Sequence, residues 1–343
     1  MSLTNHRIVL AARPAAEATT EHFRLEAAPV PALAEGHVLV RVHYLSLDPY
    51  MRMRMNDAKS YAAPVGIGEV MVGGTVGDVV ESRLEGFAPG DTVVCMGGWQ
   101  ELAVLDARQP GMVRKVDAGS GKFGIPLSAF LGPVGMPGVT AWVGLNHIIQ
   151  PKAGETMVVS AASGAVGSVV GQLAKAKGCR VVGLAGGADK CSYVVNELGF
   201  DACIDYKQHP DFKSLAAALD AAAPQGVDGN FENVGGLILD VVLSRINAFG
   251  RVALCGMISG YDGQSLAINN ARLLLTQRLK LQGFIVSEHM ALWPAALKEL
   301  GGLVAGGQLK FRESVAQGIG AAPEAFLGLL KGKNFGKQLV KLV

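Results

Sequence analysis

Apolar and polar residues alternate through His37–Tyr44 (HVLVRVHY), the two-residue period of a strand with one buried face. Gly73–Glu81 and Asp91–Met96 are similar β-rich runs separated by Gly/Pro turns. Gly86-Phe-Ala-Pro-Gly90 is one such turn, feeding the strand that starts at Asp91. The first third is therefore expected to be a strand-and-turn domain of barrel type.

Near residue 128 the period changes, and strands alternate with helices to about residue 305. Thr156–Ser160 (TMVVS) reads as a buried strand. Ala165–Lys177 has helical spacing of Val166, Val169, Val170, Leu173 and Ala174. Strand Arg180–Ala185, helix Asp189–Leu198, strand Ala202–Tyr206 and helix Phe212–Ala222 follow. Strand Val227–Asn233, helix Leu237–Asn247, strand Arg251–Cys255 and a last strand Leu279–Val286 complete the pattern. Strands joined by helical crossovers predict an α/β fold with a doubly wound parallel sheet. From about Leu309 the chain returns to strands and one helix, closing on Gly336–Val343. The expected organisation is a β-rich domain (1–130 and 309–343) interrupted by a Rossmann domain (131–308).

In Val158–Ser168 (VVSAASGAVGS) a strand runs straight into Gly164-x-x-Gly167, which opens a helix. Gly164 lets backbone approach a pyrophosphate, and Gly167 lets helix and strand pack closely. The helix start presents free N–H groups to phosphate. Ser163, Gly164, Ala165, Val166 and Gly167 are thus expected to cradle a dinucleotide. Ala162 replaces the first glycine of the strict motif, and a turn serving helix packing alone is the alternative. The next strand ends Leu184-Ala185-Gly186-Gly187 with no carboxylate at its tip, where NAD binders usually carry one. The room at Gly187, with Lys190 and Tyr206 nearby, favours a 2′-phosphate and hence NADPH. A solvated Lys190, or one paired with Asp189, and a rim Tyr206 are the competing reading.

Composition narrows the class. Half the residues are hydrophobic and 17% are charged, so large cores are available and disorder is excluded. Lys plus Arg is 31 against 29 for Asp plus Glu, and aromatics are 6%, which argues against a nucleic-acid reader. Five cysteines without a CxxC pair argue against a disulfide framework or zinc ribbon. Met1–Pro14 has no secretory pattern and no apolar run reaches about 18 residues, so a soluble cytoplasmic protein is expected. The N-terminal histidines, His37 and His43 among them, show no metal-ligand spacing, and no metal site is expected.

Several segments together resemble the zinc-independent medium-chain dehydrogenases/reductases, in the branch of prostaglandin/leukotriene, alkenal and curcumin reductases. They are Leu45–Arg52 (LSLDPYMR), Gly135–Ala141 (GMPGVTA), Ala161–Ser168, Gly186–Cys191 (GGADKC), Phe231–Gly236 (FENVGG), Cys255–Tyr261 (CGMISGY) and Asn334–Lys337 (NFGK). The resemblance implies a GroES-like substrate domain split around the Rossmann domain, usually as a homodimer. It implies that Lys190 and Tyr206 hold the 2′-phosphate and that Asn233 and Cys255 face the ribose and nicotinamide. It places Thr140, Met257, Ile258, Phe284, Ile285 and Val286 near the cofactor, and Asn334 in contact with it. Gly66–Met71 (GIGEVM) lacks the Gly-His-Glu of the zinc-using relatives.

Without a Lewis acid, hydride transfer to a conjugated alkene needs a donor for the enolate oxygen and a proton for the α-carbon. Tyr261 is the first candidate donor, because a phenol with pKa near 10 stays protonated. Tyr50 is the second, shaping the pocket; the ribose hydroxyl is another donor. Cys255 is read as packing rather than as a nucleophile. Met51, Met53 and Met55 either line an adaptable pocket or belong to the core. Three functions stay open: an NADPH-dependent enone or alkenal reductase, an NADPH quinone reductase, and a non-enzymatic NADPH-binding protein.

Overall fold

The computed structural model describes residues 3–116, 124–264 and 266–343. The chain divides into two compact units: Met1–Leu131 with Glu313–Val343, and Gly132–Arg312.

In the first unit β1 (Thr4–Leu10) and β2 (Phe23–Pro29) form an antiparallel ribbon. β3 (His37–Ser46) carries the alternation expected of it: Val38, Val40, Val42 and Leu45 are fully buried. The short helix α1 (Tyr50–Arg54) follows, then β4 (Thr75–Ser82), β5 (Thr92–Cys95), β6 (Leu102–Asp106) and β7 (Val113–Lys115). β3 pairs antiparallel with both β4 and β6.

The second unit opens with α2 (Met136–Val143) and then alternates strand and helix. The order is β8 (Thr156–Ser160), α3 (Gly167–Ala176), β9 (Arg180–Ala185), α4 (Ala188–Asn196), β10 (Ala202–Asp205) and α5 (Phe212–Ala222). β11 (Val227–Glu232), α6 (Gly236–Arg245), β12 (Ile246–Leu254), α7 (Arg272–Thr276), β13 (Lys280–Gly283) and α8 (Trp293–Ala305) complete it. The sheet order is β10-β9-β8-β11-β12-β13, parallel throughout. β8 is buried at all five positions, the signature of a parallel strand covered on both faces. One core packs α2, α3, α4 and α8 residues such as Val169, Leu173, Val194 and Leu300 on the sheet. The other packs Leu215 and Leu219 of α5 and Leu239 and Val242 of α6. Strand order reverses between β8 and β11, so the turns after those two strands flank a crevice at their carboxyl ends.

The tail returns to the first unit as β14 (Glu313–Gln317), α9 (Ala322–Leu330) and β15 (Lys337–Lys341). β15 pairs antiparallel with β3 through Leu339 opposite Ser46, and the sheet reads β14-β15-β3-β4-β5-β7. The core here stacks Trp99 on Phe23 at 5.4 Å, with Phe326 edge-on to both.

Several expected boundaries move, three of them by several residues or with a visible cause. β10 ends at Asp205, because Asp205 caps a 3₁₀ turn over Tyr206–Gln208 by accepting the Lys207 N–H. β12 starts at Ile246 rather than Arg251, passing through Phe249 at φ +66°. β13 stops at Gly283, opposite Leu254 where its partner also stops, so Phe284–Val286 lie outside the sheet.

Candidate active site

β8 delivers the chain to Ala161, which takes a positive φ of 50°. Its carbonyl accepts the Gly164 N–H at 2.9 Å, closing the turn that leads into α3. A Cβ on Gly167 would sit 2.4 Å from that carbonyl oxygen and 3.0 Å from Ala162 Cα. Glycine is therefore required there for α3 to start against the turn, as the sequence predicts. Ser163 is buried, and Gly164, Ala165 and Val166 are half-buried at the helix start.

β9 is followed by Gly186 and Gly187, and Gly187 has φ +107°, a conformation that disfavours any side chain. Its N–H donates to Asp205 Oδ1 at 2.8 Å. Gly186 lies under the next strand's exit: a Cβ there would be 2.8 Å from Tyr206 Oη and 2.9 Å from Lys207 Cε. Lys190, half-buried in the first turn of α4, lies close enough to Lys207 to feel its charge. Burial first, and the neighbouring Lys207 charge second, hold the Lys190 ammonium below its ordinary pKa. Lys207 joins Tyr206 and Lys190 at this tip, although sequence reasoning assigned it no role. The register was the available signal: Asp205 pairs with Ala185, so residue 207 must stand beside Gly186–Gly187.

The other side of the crevice is built on Glu232, wholly buried at the end of β11. Its Oε1 accepts from Ser160 Oγ at 3.0 Å, Val234 N–H at 2.8 Å and Gly235 N–H at 2.7 Å. Oε2 accepts from Asn230 Nδ2 at 3.1 Å. Burial nevertheless dominates and raises the Glu232 pKa above the ordinary carboxyl range. Ser160 Oγ in turn accepts the Asn233 N–H at 2.7 Å, and Asn233 Nδ2 donates to Ser160 O at 2.8 Å. This knot ties the exits of β8 and β11 and fixes Asn233 at the crevice, with Oδ1 as its remaining side-chain polar atom.

Cys255 follows β12 and packs on the core. Burial, reinforced by the Glu232 charge, pushes its thiol up to about 12, so it stays protonated at neutral pH and does not act as a nucleophile. Met257 and Ile258 are half-buried and lead through a 3₁₀ turn to Tyr261. The Tyr261 hydroxyl folds back over the strand ends, 3.4 Å from the place a Cβ would take on Gly256. That same place is 3.2 Å from Asn233 O, so Tyr261, Gly256 and Asn233 converge.

Other expected residues have local partners of their own. Phe284 is a core residue, its ring edge-on to Phe231 at 6.2 Å, so its side chain does not line the crevice. Val286 packs on the same core, and Ile285 precedes it as the cap of a 3₁₀ turn. The Thr140 hydroxyl is spent on Met136 O at 2.7 Å within α2. Asn334, in the first unit, donates from Nδ2 to Gly336 O at 2.7 Å.

Tyr50, also in the first unit, starts α1, and burial and the Asp48 charge raise its phenol pKa. Met51 and Met55 are fully buried beside Leu45 and Trp99, which decides for core over an adaptable pocket. Asp48 is anchored by two partners: Ser46 Oγ donates to Oδ2, and Lys337 Nζ donates to Oδ1 at 2.7 Å. Lys337 Nζ also donates to Leu47 O at 2.7 Å.

Among the described residues no three His, Cys, Asp or Glu side chains gather as a metal site. His43 pairs with Asp78 at 3.0 Å, and His37 Nδ1 lies 3.1 Å from Glu35 O. In place of a ligand histidine, Glu69 of the Gly66–Met71 segment accepts the Gly66 N–H at 2.8 Å.

Residues 6–113 match the family model of an oxidoreductase N-terminal domain, and residues 165–301 match that of the zinc-binding dehydrogenases. The chain is 45% identical to the NADPH-dependent curcumin reductase of Escherichia coli, covering 98% of this chain and 97% of that one. It is 42% identical to the NADP(+)-dependent 2-alkenal reductase of Nicotiana tabacum, over 88% of this chain and 86% of that one. The chain belongs to the curcumin, alkenal and prostaglandin reductase branch of the medium-chain dehydrogenases/reductases. The solved structure of CurA in complex with NADPH from Vibrio vulnificus superposes with a TM-score of 0.90 at 45% identity, covering 98% of this chain and 99% of that one.

Proposed function

We propose that this protein reduces the carbon–carbon double bond of α,β-unsaturated aldehydes and ketones with NADPH, without a metal ion. The observation that carries the reading is the convergence of the Tyr261 hydroxyl, Gly256 and Asn233 at the exits of β11 and β12. It stands on the same strand-end edge as the glycine turn after β8 and the bare Gly186–Gly187 tip. The identities of 45% and 42% to a curcumin reductase and a 2-alkenal reductase support the same chemistry.

The residues fit the dinucleotide. The turn Ser163–Gly167 and the start of α3 offer backbone donors to the pyrophosphate. Gly186, having no side chain, lets the Tyr206 hydroxyl and the Lys207 stem close over the tip, where with Lys190 they would meet a 2′-phosphate. Asn233 Oδ1, Cys255, Met257, Ile258 and the backbone of Phe284–Val286 border the remaining length, with Thr140 in the same unit. Bound NADPH supplies the hydride.

Charge that develops on the substrate carbonyl oxygen, once the β-carbon is reduced, is met by the Tyr261 hydroxyl as hydrogen-bond donor. The α-carbon then takes a proton from that hydroxyl or from water. The protein works as a homodimer in the cytoplasm. Five free cysteines support a reducing compartment, and the outer edge of β13, unpaired among the described residues, supports association.

The test is NADPH consumption with an alkenal, a linear enone, a curcumin-like dienone and a quinone, each with a chelator present, followed by product identification. Saturated aldehydes and ketones are expected from the first three. Turnover of the quinone alone would replace the reading with a quinone reductase, and binding without turnover would replace it with a sensor. Light scattering checks the dimer.

A further inference from the structure

We propose that Lys207 is a second cationic ligand of the cofactor's 2′-phosphate, and with Lys190 sets the preference for NADPH over NADH. The inference deepens the reading of Gly186, Lys190 and Tyr206 as the phosphate end of the site and rests on it.

The placement of Lys207 is built in. Asp205 Oδ1 accepts both the Gly187 N–H at 2.8 Å and the Lys207 N–H at 3.1 Å. That carboxylate oxygen therefore clamps the loop after β9 to the turn after β10. The clamp lays the Lys207 stem over Gly186, with Cε 2.9 Å from the position of an added Cβ and Tyr206 Oη 2.8 Å from it. A phenol hydroxyl and an ammonium stem thus cover one glycine that has no side chain to fill the space. Lys190 approaches from the first turn of α4, a helix of nine residues whose start also favours an anion.

Charge arithmetic gives the arrangement its meaning. Two lysines drawn together repel, and the Lys207 charge is among the causes that lower the Lys190 pKa. The local carboxylates are Asp205, with Oδ1 turned onto the backbone, and Asp189, which is exposed. A phosphate monoester carries roughly −1.5 to −2 charges near neutral pH. One lysine leaves such a group under-neutralised and two balance it. A ribose hydroxyl offers no charge to balance, so the second lysine acts against NADH.

The test is equilibrium binding, read by calorimetry, of NADPH, NADH, adenosine 2′,5′-bisphosphate and 5′-AMP to the wild type, Lys207→Met, Lys207→Arg and Lys190→Ala. Met keeps the stem and removes the charge. Lys207→Met is expected to weaken NADPH and the bisphosphate about tenfold, as for loss of one charge-assisted contact. Binding of NADH and 5′-AMP is expected to change less than about twofold, and Lys207→Arg to hold the wild-type preference. Circular dichroism of each variant separates misfolding from loss of the contact. If Lys190→Ala loses the preference while Lys207→Met retains it, the role of Lys207 is overturned and the phosphate site stands. If the wild type binds the bisphosphate no better than 5′-AMP, the phosphate site itself is overturned and Lys207 with it.

Discussion

Replacing Lys337 by Met probes the pair that ties the Asp48-Pro49-Tyr50 segment to the tail. The side chains are 3% and 9% exposed for Lys337 and Asp48, so the pair is shielded from water and salt. Met matches the stem and deletes the ammonium, which removes one of the two donors on Asp48 and strands Leu47 O. Breaking a buried pair from one side costs about 3–5 kcal/mol, because a charge is left uncompensated. That is about a third of the stability of an ordinary domain. Removing both charges in Asp48→Asn/Lys337→Met should recover most of the loss, giving a coupling of at least about 2 kcal/mol.

The two units make a single two-state analysis unsafe, so the reporter must be local. Trp99 is buried in the first unit, stacked on Phe23, whereas Trp142 and Trp293 belong to the other unit. Urea unfolding followed by Trp99 fluorescence, in a Trp142→Phe/Trp293→Phe background, gives the four corners of the cycle. A loss under about 1 kcal/mol for Lys337→Met, or simple additivity in the double variant, would refute the idea that this pair holds the segment.

Tyr261→Phe should lower kcat on an enone by about one hundredfold, in the range for loss of one proton donor, with the NADPH Kd unchanged; full turnover would remove Tyr261 from the chemistry. Glu232→Gln should gain stability relative to the wild type as pH rises from about 4.5, measured by urea midpoints across pH. The sign follows from the raised folded pKa. Above the ordinary carboxyl pKa of about 4.5 the unfolded chain releases the proton first, so wild-type stability declines until the folded pKa is passed, while Gln is indifferent. Gln also offers an N–H to Asn230 Oδ1, which has no hydrogen-bond partner among the described residues; a flat difference across pH would contradict this reading. Gly167→Ala should cost about 1–3 kcal/mol and weaken NADPH binding, since its methyl meets the Ala161 carbonyl rather than a movable side chain. Cys255→Ala should keep turnover, and rapid alkylation of Cys255 at neutral pH would argue against a thiol held near 12.

Where burial alone decides an element, the sequence suffices. β8, β9 and α5 occupy the residues that their apolar pattern indicates. Elements that depend on a neighbour are less legible. The stretch Ile246–Asn247 reads as a helix end, yet it joins β12, where Ile246 pairs with Val227 of β11 and the register shifts before Arg251. The family resemblance implies that Phe284 lines the cofactor, whereas the T-shaped packing on Phe231 that fixes its ring needs two distant segments to meet. The glycine turn, Lys190 and Tyr261 were legible because each has a local signature. Lys207 and Glu232 were not, for opposite reasons. The place of Lys207 is set by a strand register, and nothing in Phe231-Glu-Asn233 announces that the carboxyl is sealed from water.

The interrupted first unit has a consequence for the order of synthesis. β3, the most heavily paired strand of its sheet, waits for β15 to cover its Tyr44–Ser46 end, and β15 is made only after the whole second unit. The second unit is continuous in sequence and can close as soon as it is translated. A ribosome therefore carries a nascent chain whose nucleotide-binding unit is complete while the open flank of β3 is still exposed. During that interval the flank is an unpaired strand edge of the kind that recruits other chains. Slow translation of Glu313–Val343 should raise aggregation of this protein more than slow translation of any equal stretch within the second unit.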